Sequence, residues 1–568
     1  MRKLRVPVFS WFILFLLPTL LSAQNLEKIG KKDMVTIGGG INYNTIFYDA
    51  QGIDDRRAPF TWYFSGNFAV NILDVSLPFT FSYTNNHGTY TQPFNMQSVH
   101  PKYKWAQAHL GTTAMNFSAY TLNGIVFTGG GIELRPNGFY FAAMGGRLSK
   151  AHAYNSDDVT FSSMSFHRMG CGAKIGYDKN GFAIGMSYFT AKDDAASLAF
   201  IPPGADLFPK QNTAVSVNGK FTIYKKLIAE GEIAASGLTR NTLAGMETTD
   251  FNGWQKWMLP THTTTQFFRA WNATLTYTEK VFALALHHEH VDPDYTTFGA
   301  YYFNSDLVNW TVAPSVRLFG GKLSLALNSG IQRNNLDGSK LTTMHRWVAS
   351  ANLSAALFSW LTISASYSNF TSYTNRRPQT DPFRQPTPFD TLSFYQVQQQ
   401  ANGSFVFSFG SKIRKQSLAF IGAYQRSAQQ QLSQEMPAVT VANVNVSWNM
   451  QFVPQHFSVS LLVNGLQTVQ DTIVTQYFGP GMQLSQSWCK GKLRCSAGSV
   501  YNRSLRNDEL QSHIFSHRAQ LSFTPQLKNK KVGHFSFAAN AVDVMRLPVN
   551  GGALSSELTV TVNLGYGF

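Results

Sequence analysis

The chain has 568 residues and a formal net charge of +16, and charged residues make up only 14% of it while aromatic residues make up another 14%. So few charges are unusual for soluble domains. The basic excess would suit a nucleic-acid partner, but no recognised nucleic-acid motif is present, so we expect no such partner.

The N-terminus has the features of a secretory signal peptide. Three basic residues lie within the first five positions, an apolar run from Phe12 to Leu17 follows, and a small-residue site ends at Ala23. The apolar run is too short to span a bilayer. We predict a signal peptide at 1–23, and its removal takes three basic residues away and lowers the net charge from +16 to +13.

Apolar and polar residues alternate in segment after segment from residue 34 to the end. The final stretch is typical: residues 558, 560, 562, 564, 566 and 568 are apolar or aromatic, and the residues between them are Thr, Asn or Gly. A strand sends successive side chains to opposite faces. No apolar run after residue 23 is long enough for a spanning helix, so a membrane role requires strands. We predict an all-β fold, a single transmembrane antiparallel β-barrel formed by residues 24–568.

Tight turns and longer loops follow one another in a regular order. We infer about eleven tight turns, among them 178–181 and 320–321, and about twelve longer loops, among them 239–265 and 290–308. This pattern predicts about 24 strands, with 22–26 as the range. An even number places both termini on the short-turn side, which is the periplasm in outer-membrane barrels.

Residues 85–124 interrupt the regular order. They form an extra hairpin of the wall, which would give about 26 strands, or fold into the lumen and narrow it, or make an external loop. For the second case we predict a constriction formed by Lys104, Trp105, His109 and Tyr120. A barrel this wide would otherwise enclose an open bore.

Four charged residues fall on the polar side of predicted strands: Lys220, Glu230, Glu232 and Arg317. On the lipid side, Lys or Arg would cost about 2–4 kcal/mol near the bilayer midplane. We therefore predict that all four face the lumen, where they would select solutes by charge.

The run from His287 to His290 is the densest group of metal-ligand residue types. His288 and His290 would share one face of a strand, as two ligands of a metal site do. The run ends a strand where a polar loop begins, however, and a hydrated barrel rim explains it as well. We expect no metal and no cofactor.

The sequence does not single out a catalytic site. Ser, His and Asn are abundant, but no spacing indicates a triad, and no G-x-S-x-G element joins a strand to a helix. We expect no enzymatic activity, with a hydrolase built into the barrel wall as an alternative.

Three cysteines leave the redox chemistry open. Cys489 and Cys495 flank a predicted turn, where a disulfide across a hairpin and two unpaired thiols both fit the sequence. Cys171 has no obvious partner.

Basic and acidic residues concentrate in different connections. Lys225, Lys226, Lys490 and Lys492 lie at tight turns, whereas Asp and Glu pairs such as Asp508-Glu509 lie at longer loops. The positive charge would then belong to the periplasmic rim, facing lipid phosphates or a periplasmic partner, or to solvated turns without a partner.

The final strand resembles the closing strand of bacterial outer-membrane barrels, whose terminal Phe is read by the barrel assembly machinery. That resemblance implies an outer-membrane location and an assembly signal at Tyr566 and Phe568. Residues 291–306 and 330–336 also resemble large, poorly characterised outer-membrane barrels of the Bacteroidota. This resemblance implies fold and location but no substrate. TonB-dependent receptors differ, because they begin with a globular plug domain.

These observations favour a passage across the outer membrane, either porin-like or for export of a polypeptide. The alternative is a non-conducting barrel that anchors a surface or periplasmic complex. The partners we expect are outer-membrane lipid and lipopolysaccharide, the barrel assembly machinery, and a secreted, surface or periplasmic protein.

Overall fold

The structure is a computed structural model. It describes residues 35–72, 74–85, 96–154, 164–202, 205–247, 251–301, 304–339, 345–369, 372–373, 396–428, 430–431, 434–435, 438–525, 533–549 and 551–568. The predicted signal peptide at 1–23 lies outside the described residues.

Strands dominate the part of the chain that the structure describes. Their bounds are β1 Val35–Gln51, β2 Phe60–Ile72, β3 Val75–Thr84, β4 Met96–Val99, β5 Lys102–Tyr103, β6 Ala106–Asn116, β7 Asn123–Leu134, β8 Phe139–Ser149, β9 Arg168–Lys179, β10 Phe182–Asp193, β11 Gln211–Ile223, β12 Leu227–Thr239, β13 Thr265–Thr278, β14 Phe282–Val291, β15 Leu307–Leu318, β16 Leu323–Arg333, β17 His345–Phe358, β18 Leu361–Ser368, β19 Ser372–Tyr373, β20 Gln396–Gly410, β21 Arg414–Ala428, β22 Gln430–Gln431, β23 Gln434–Glu435, β24 Val439–Phe452, β25 Phe457–Gln470, β26 Ile473–Trp488, β27 Leu493–Arg506, β28 Glu509–Phe523, β29 His534–Pro548 and β30 Ser555–Gly567.

Helical structure is short wherever the chain is described. It consists of α1 (Gly253–Met258) and 3₁₀ turns at Ala195–Ser197, Phe319–Gly321 and Cys489–Gly491. None of these helices has the length and apolar character needed to cross a bilayer.

The sheet closes on itself by pairing its first and last strands. β1 pairs antiparallel with both β2 and β30, with Tyr43 opposite Leu564 at the seam. Gly39 and Phe568 complete the seam with two backbone hydrogen bonds of 3.0 and 2.9 Å. The predicted closed antiparallel barrel, and its first strand beginning near residue 34, are confirmed.

The described residues place 26 strands around the wall of the barrel, two more than the predicted number of about 24 and at the upper end of the predicted range. β4 and β5 share one position in the wall, as do β18 and β19, and β22 and β23 form a separate pair. The additional hairpin is β4/β5 with β6, at 96–116. Pro101 interrupts its first strand, and fragments this short do not show the alternation by which strands are recognised.

Side chains alternate between an apolar outward face and an inward face. Ile233, Trp310, Ile331 and Trp347 point outward and are 61–71% exposed. Their cross-strand partners are apolar too, apart from His288 opposite Trp310. An aromatic and aliphatic outer surface of this kind is what a barrel presents to lipid.

The two ends of the barrel differ in their connections. We call the end that carries 180–181 and 224–226 the turn end, and the end that carries 240–264 the loop end. β1 begins and β30 ends at the turn end. Tight turns also occur at the loop end, after β25 and after β27. The sequence had suggested a long loop at Asp508 and Glu509. Glu509 instead begins β28, directly after a tight turn.

The three cysteines are free thiols. Cys489 lies in a turn, whereas Cys495 lies in β27 with Gln486 as its cross-strand partner. The two are thus not opposite each other, which is the arrangement that a hairpin disulfide requires. Of the two arrangements that the sequence left open, the structure has the unpaired thiols.

Candidate functional site

Two loop-end connections enter the barrel and meet inside it. One is residues 117–122, between β6 and β7, and the other is residues 292–301, after β14. We call them together the paired loops. Tyr120 and Tyr295 are only 2% and 1% exposed, and Thr297 is 3% exposed. The paired loops are therefore packed against the wall, unlike ordinary surface loops.

The paired loops are joined by hydrogen bonds to each other's backbone. The Tyr295 hydroxyl donates to the carbonyl of Tyr120 at 2.8 Å. Thr297 Oγ1 donates to the carbonyl of Thr121 at 2.7 Å, and the Asn123 amide donates to the carbonyl of Gly299 at 2.8 Å. Buried backbone groups need such partners, because water cannot reach them. The two loops therefore hold each other in place.

Inward side chains of the wall also form hydrogen bonds with the paired loops. The Tyr120 hydroxyl donates to Oε1 of Glu289 at 2.9 Å and accepts from Nδ2 of Asn272 at 3.0 Å. Ser236 Oγ donates to the carbonyl of Thr296 at 2.6 Å. These contacts connect the loops to β12, β13 and β14.

Apolar packing fixes the first of the paired loops. Phe117 and Leu122 join a buried apolar cluster with Phe127, Phe189 and Met115, and each of these five side chains is at most 2% exposed. Each large side chain buried in this way contributes roughly 1.5–3 kcal/mol. The lumen along β6 to β10 is accordingly filled near the loop end.

Arg168 holds the second loop from the opposite side. Its guanidinium lies 3.7 Å from the centre of the Phe298 ring. Its Nε and one terminal nitrogen donate to the two carboxylate oxygens of Asp193, at 2.6 and 3.0 Å. A fork of this kind fixes the plane of the guanidinium. Sequence reasoning missed Arg168 and Asp193, because their pairing requires β9 and β10 in register.

The four predicted lumen charges lie on the inward face. Lys220 and Glu230 are cross-strand partners, and Nζ of Lys220 lies 3.6 Å from Oε2 of Glu230. Glu232 lies one inward position further along β12, and Arg317 lies at the turn end of β15. Outward neighbours such as Phe221, which is 51% exposed, set the alternation.

His109 belongs to a chain of inward polar residues on β4 to β7. Its Nδ1 lies 2.9 Å from Nδ1 of His100, and its Nε2 lies 3.6 Å from Oε1 of Glu133. Arg135 donates to the other oxygen of Glu133 at 3.1 Å. Glu133 therefore lies between His109 and Arg135 on the wall below the paired loops.

The predicted constriction is only partly brought together. His109 and Tyr120 lie on the inner side, 8% and 2% exposed. Lys104 and Trp105, by contrast, form the turn between β5 and β6, and Trp105 is 50% exposed. They lie at the turn end because residues 96–116 are a hairpin of the wall. Their assignment to the constriction is wrong.

His288 and His290 share one face of β14, but that face is the outward one. The His290 ring stacks on Trp271 at 3.8 Å, and the His288 ring stacks on Trp310 at 3.9 Å. His290 Nε2 lies 3.0 Å from Oδ1 of Asp292. No group of three or more His, Cys, Asp or Glu in the described residues is placed to hold a metal ion.

The wall from β16 to β25 has a different inner surface. Its inward side chains are mainly Asn, Gln, Ser and Thr, and Asn352, Ser364, Asn402 and Asn449 among them are exposed. Of the described inward side chains on these strands, only Lys415, at the turn end, is charged. We call this surface the neutral wall. No described loop packs against these four residues.

The barrel is wide compared with the paired loops. A circular barrel of this strand number, at ~4.8 Å between strands and ~40° tilt, measures about 50 Å between backbones. The paired loops comprise residues 117–122 and 292–301 and contact β6 to β15. Segments of that size cover one side of such a lumen, and no other described loop covers the opposite side.

Comparisons with known proteins add only general likenesses. No protein-family model matches the chain, and no curated protein is similar enough to count as a relative. Among solved structures, the P pilus usher (PapC) translocation pore is 10% identical, with 94% of this chain and 99% of that chain covered and a TM-score of 0.38. The ferric enterobactin receptor PfeA of Pseudomonas aeruginosa is 10% identical, with 93% and 80% covered and a TM-score of 0.37. OccAB2 of Acinetobacter baumannii is 8% identical, with 68% and 97% covered and a TM-score of 0.29.

Likenesses at these scores say nothing about what the chain does. The class of fold follows from the molecule itself: a closed antiparallel sheet, an apolar and aromatic outer face, and a polar inner face. With these features, the chain is a large β-barrel of the outer-membrane type.

Proposed function

We propose that the barrel forms a water-filled passage for hydrophilic solutes across the outer membrane. The neutral wall is the observation that carries this proposal. Exposed amide and hydroxyl side chains on the inner face of a closed barrel interact favourably with water. In a packed core the same groups would cost free energy unless each found a hydrogen-bond partner. The proposal involves no catalytic step.

The neutral wall favours uncharged polar solutes over ions. A shallow groove of about 350 Å³ lies on it, lined by hydroxyl and amide residues that include Ser354, Ser364, Asn402 and Ser404. Such groups exchange hydrogen bonds with hydroxyl-rich solutes without adding charge. We propose small neutral hydrophilic molecules as the solute class.

We further propose that the loop end faces the outside and the turn end faces the periplasm. The start of β1 and the end of β30 lie at the turn end. The basic turns, including those with Lys226 and Lys492, lie there too. Basic turns there would face the phosphates of the inner leaflet. In the same proposal the barrel assembly machinery recognises Phe568, and lipopolysaccharide surrounds the loop end. The proposal also assigns the protein to the large outer-membrane barrels of the Bacteroidota.

Single-channel recording in planar bilayers tests the passage. We expect the full-length barrel to give steady current steps. Asn449→Asp places a carboxylate on the neutral wall and should make the passage more cation-selective. Gln455→Glu, in the tight turn after β24, is the matched control and should leave the selectivity unchanged.

Absence of current steps from correctly folded barrel would overturn the proposal. The alternative function is a non-conducting barrel that anchors a protein complex. It predicts no current steps and a protein that copurifies with the barrel. Deleting residues 85–124 is not a suitable test, because it would remove β4, β5 and β6 from the wall.

A further inference from the structure

Asp543 lies on the outward face of the barrel. Its cross-strand partner is Leu558, which belongs to the apolar outward row of the last strand and is 39% exposed. The alternation of β29 agrees, because Leu547 is also outward and is 47% exposed. A carboxylate therefore lies on the face that presents mainly apolar groups to lipid.

Apolar outward residues lie on both sides of Asp543 along the barrel wall. Met545 and Leu547 follow it toward the loop end, and Ala541 and Phe537 precede it toward the turn end. The carboxylate is thus within the apolar band and not at the rim, where water would solvate it. Ionisable groups at that depth are costly and usually have a partner.

His517 is the cross-strand partner of Asp543 on the other side. Ser556 Oγ donates a hydrogen bond to Oδ1 of Asp543 at 2.8 Å. Within the described residues, no Lys or Arg forms an ion pair with this carboxylate. The outward row therefore places an imidazole, which can donate through its N–H, beside a carboxylate, which accepts, and the Ser556 hydroxyl supports the carboxylate.

The surface around this pair is depressed. A groove of about 490 Å³ is lined there by residues that include Ala497, Ser499, Ala519 and Ala541. Small side chains let a second backbone approach closely within a membrane. The depression and the polar pair coincide in position, which is the arrangement of a contact surface.

We propose that this surface binds a second copy of the chain, with a two-fold axis along the membrane normal between β28 and β29. The axis would bring His517 of each copy to Asp543 of the other. A row that carries a donor beside an acceptor is complementary to its own two-fold image, and isologous contacts require such self-complementarity. Lipid chains offer no hydrogen bond to either group. The inference requires the outward face to lie in a membrane but does not depend on conduction.

The test uses the full-length barrel extracted with its surrounding lipid into native nanodiscs. Mass photometry then measures the mass of each particle. We expect dimers of the native chain. Ala519→Trp fills the depression from an outward position and should raise the dimer dissociation constant by about tenfold or more. Ile233→Trp, also outward but on another part of the barrel, is the matched control and should leave the dimer intact.

Crosslinking identifies the contact itself. In a chain in which Cys171, Cys489 and Cys495 are replaced by serine, Ala541→Cys should give a crosslinked product of twice the chain mass, and Ile233→Cys should not. Three results would overturn the proposal: a monomer at every concentration, a dimer that Ala519→Trp leaves unchanged, and an Ala541→Cys adduct with a different protein.

Discussion

The hydroxyl of Tyr120 lies 2.9 Å from Oε1 of Glu289, although 169 residues separate the two in sequence. This contact joins the first of the paired loops to β14, on the far side of the filled part of the lumen. It ties the loop at 117–122 directly to the strand that leads into 292–301.

Tyr120→Phe should destabilise the barrel by about 1–3 kcal/mol. The ring stays, but Glu289 and Asn272 lose a buried partner, and an unsatisfied buried group costs about that much. Thermal unfolding followed by circular dichroism measures the effect. Tyr224→Phe, at a turn position that is 92% exposed, is the control and should unfold like the native chain. Equal unfolding temperatures for the two variants would contradict the role assigned to Tyr120.

Tyr295→Ala should open the lumen. Tyr295 is 1% exposed and packs edge-on against Tyr120 with 6.1 Å between ring centres. Removing a buried aromatic ring typically costs about 3–5 kcal/mol, and here the loss falls on the contact between the paired loops. We expect larger and noisier current steps than in the native barrel. Unchanged step size, with the barrel folded, would show that the paired loops do not limit the passage.

Glu230→Gln should shift the passage toward anion selectivity. It leaves the positive charge of Lys220 without its partner at 3.6 Å, while both side chains are about half exposed, so stability should change by less than about 1 kcal/mol. The reversal potential in a salt gradient reports the shift. Asp471→Asn removes the same charge from a tight turn at the loop end and serves as the control. A shift of equal size in both variants would mean that net charge, and not the lumen position, is responsible.

The ion pair of Lys226 and Glu279, at the turn end, should stabilise the folded chain to an extent that depends on pH. The hydrogen bond from the Lys226 ammonium lowers the pKa of the Glu279 carboxyl below its usual value. Because this pKa is lower in the folded than in the unfolded chain, the stabilisation is present above the ordinary carboxyl pKa and is lost as the pH falls through the lowered one. Glu279→Gln should therefore unfold at a lower temperature than the native chain near neutral pH, and at the same temperature in acid. A difference that persists in acid would contradict this account.

Phe568 should serve assembly through its ring and closure through its backbone. Its amide and carbonyl bond to Gly39, and its ring lies 5.9 Å from that of Tyr566 on the outward face. Phe568→Ala keeps the backbone bonds and removes the ring, whereas deleting the residue removes both. If the ring is the assembly signal, both variants should lower the amount of barrel in the outer-membrane fraction. Normal amounts of Phe568→Ala would remove that role.

The sequence by itself determined the class of fold and the inward position of four charged residues. Strand alternation has a period of two, so Lys220, Glu230, Glu232 and Arg317 received their inward position from local pattern alone. The same rule identified the outward row of β30 and the first strand near residue 34.

Only the tertiary structure decided which strand stands beside which, and what fills the lumen. β4 and β5 are too short and too interrupted by Pro101 to show a period, so their place in the wall became visible only through pairing with β3 and β6. The paired loops, the Arg168 and Asp193 fork and the outward row of His517 and Asp543 all depend on register between strands. Register is set by hydrogen bonding between segments far apart in the chain, and no local pattern records it.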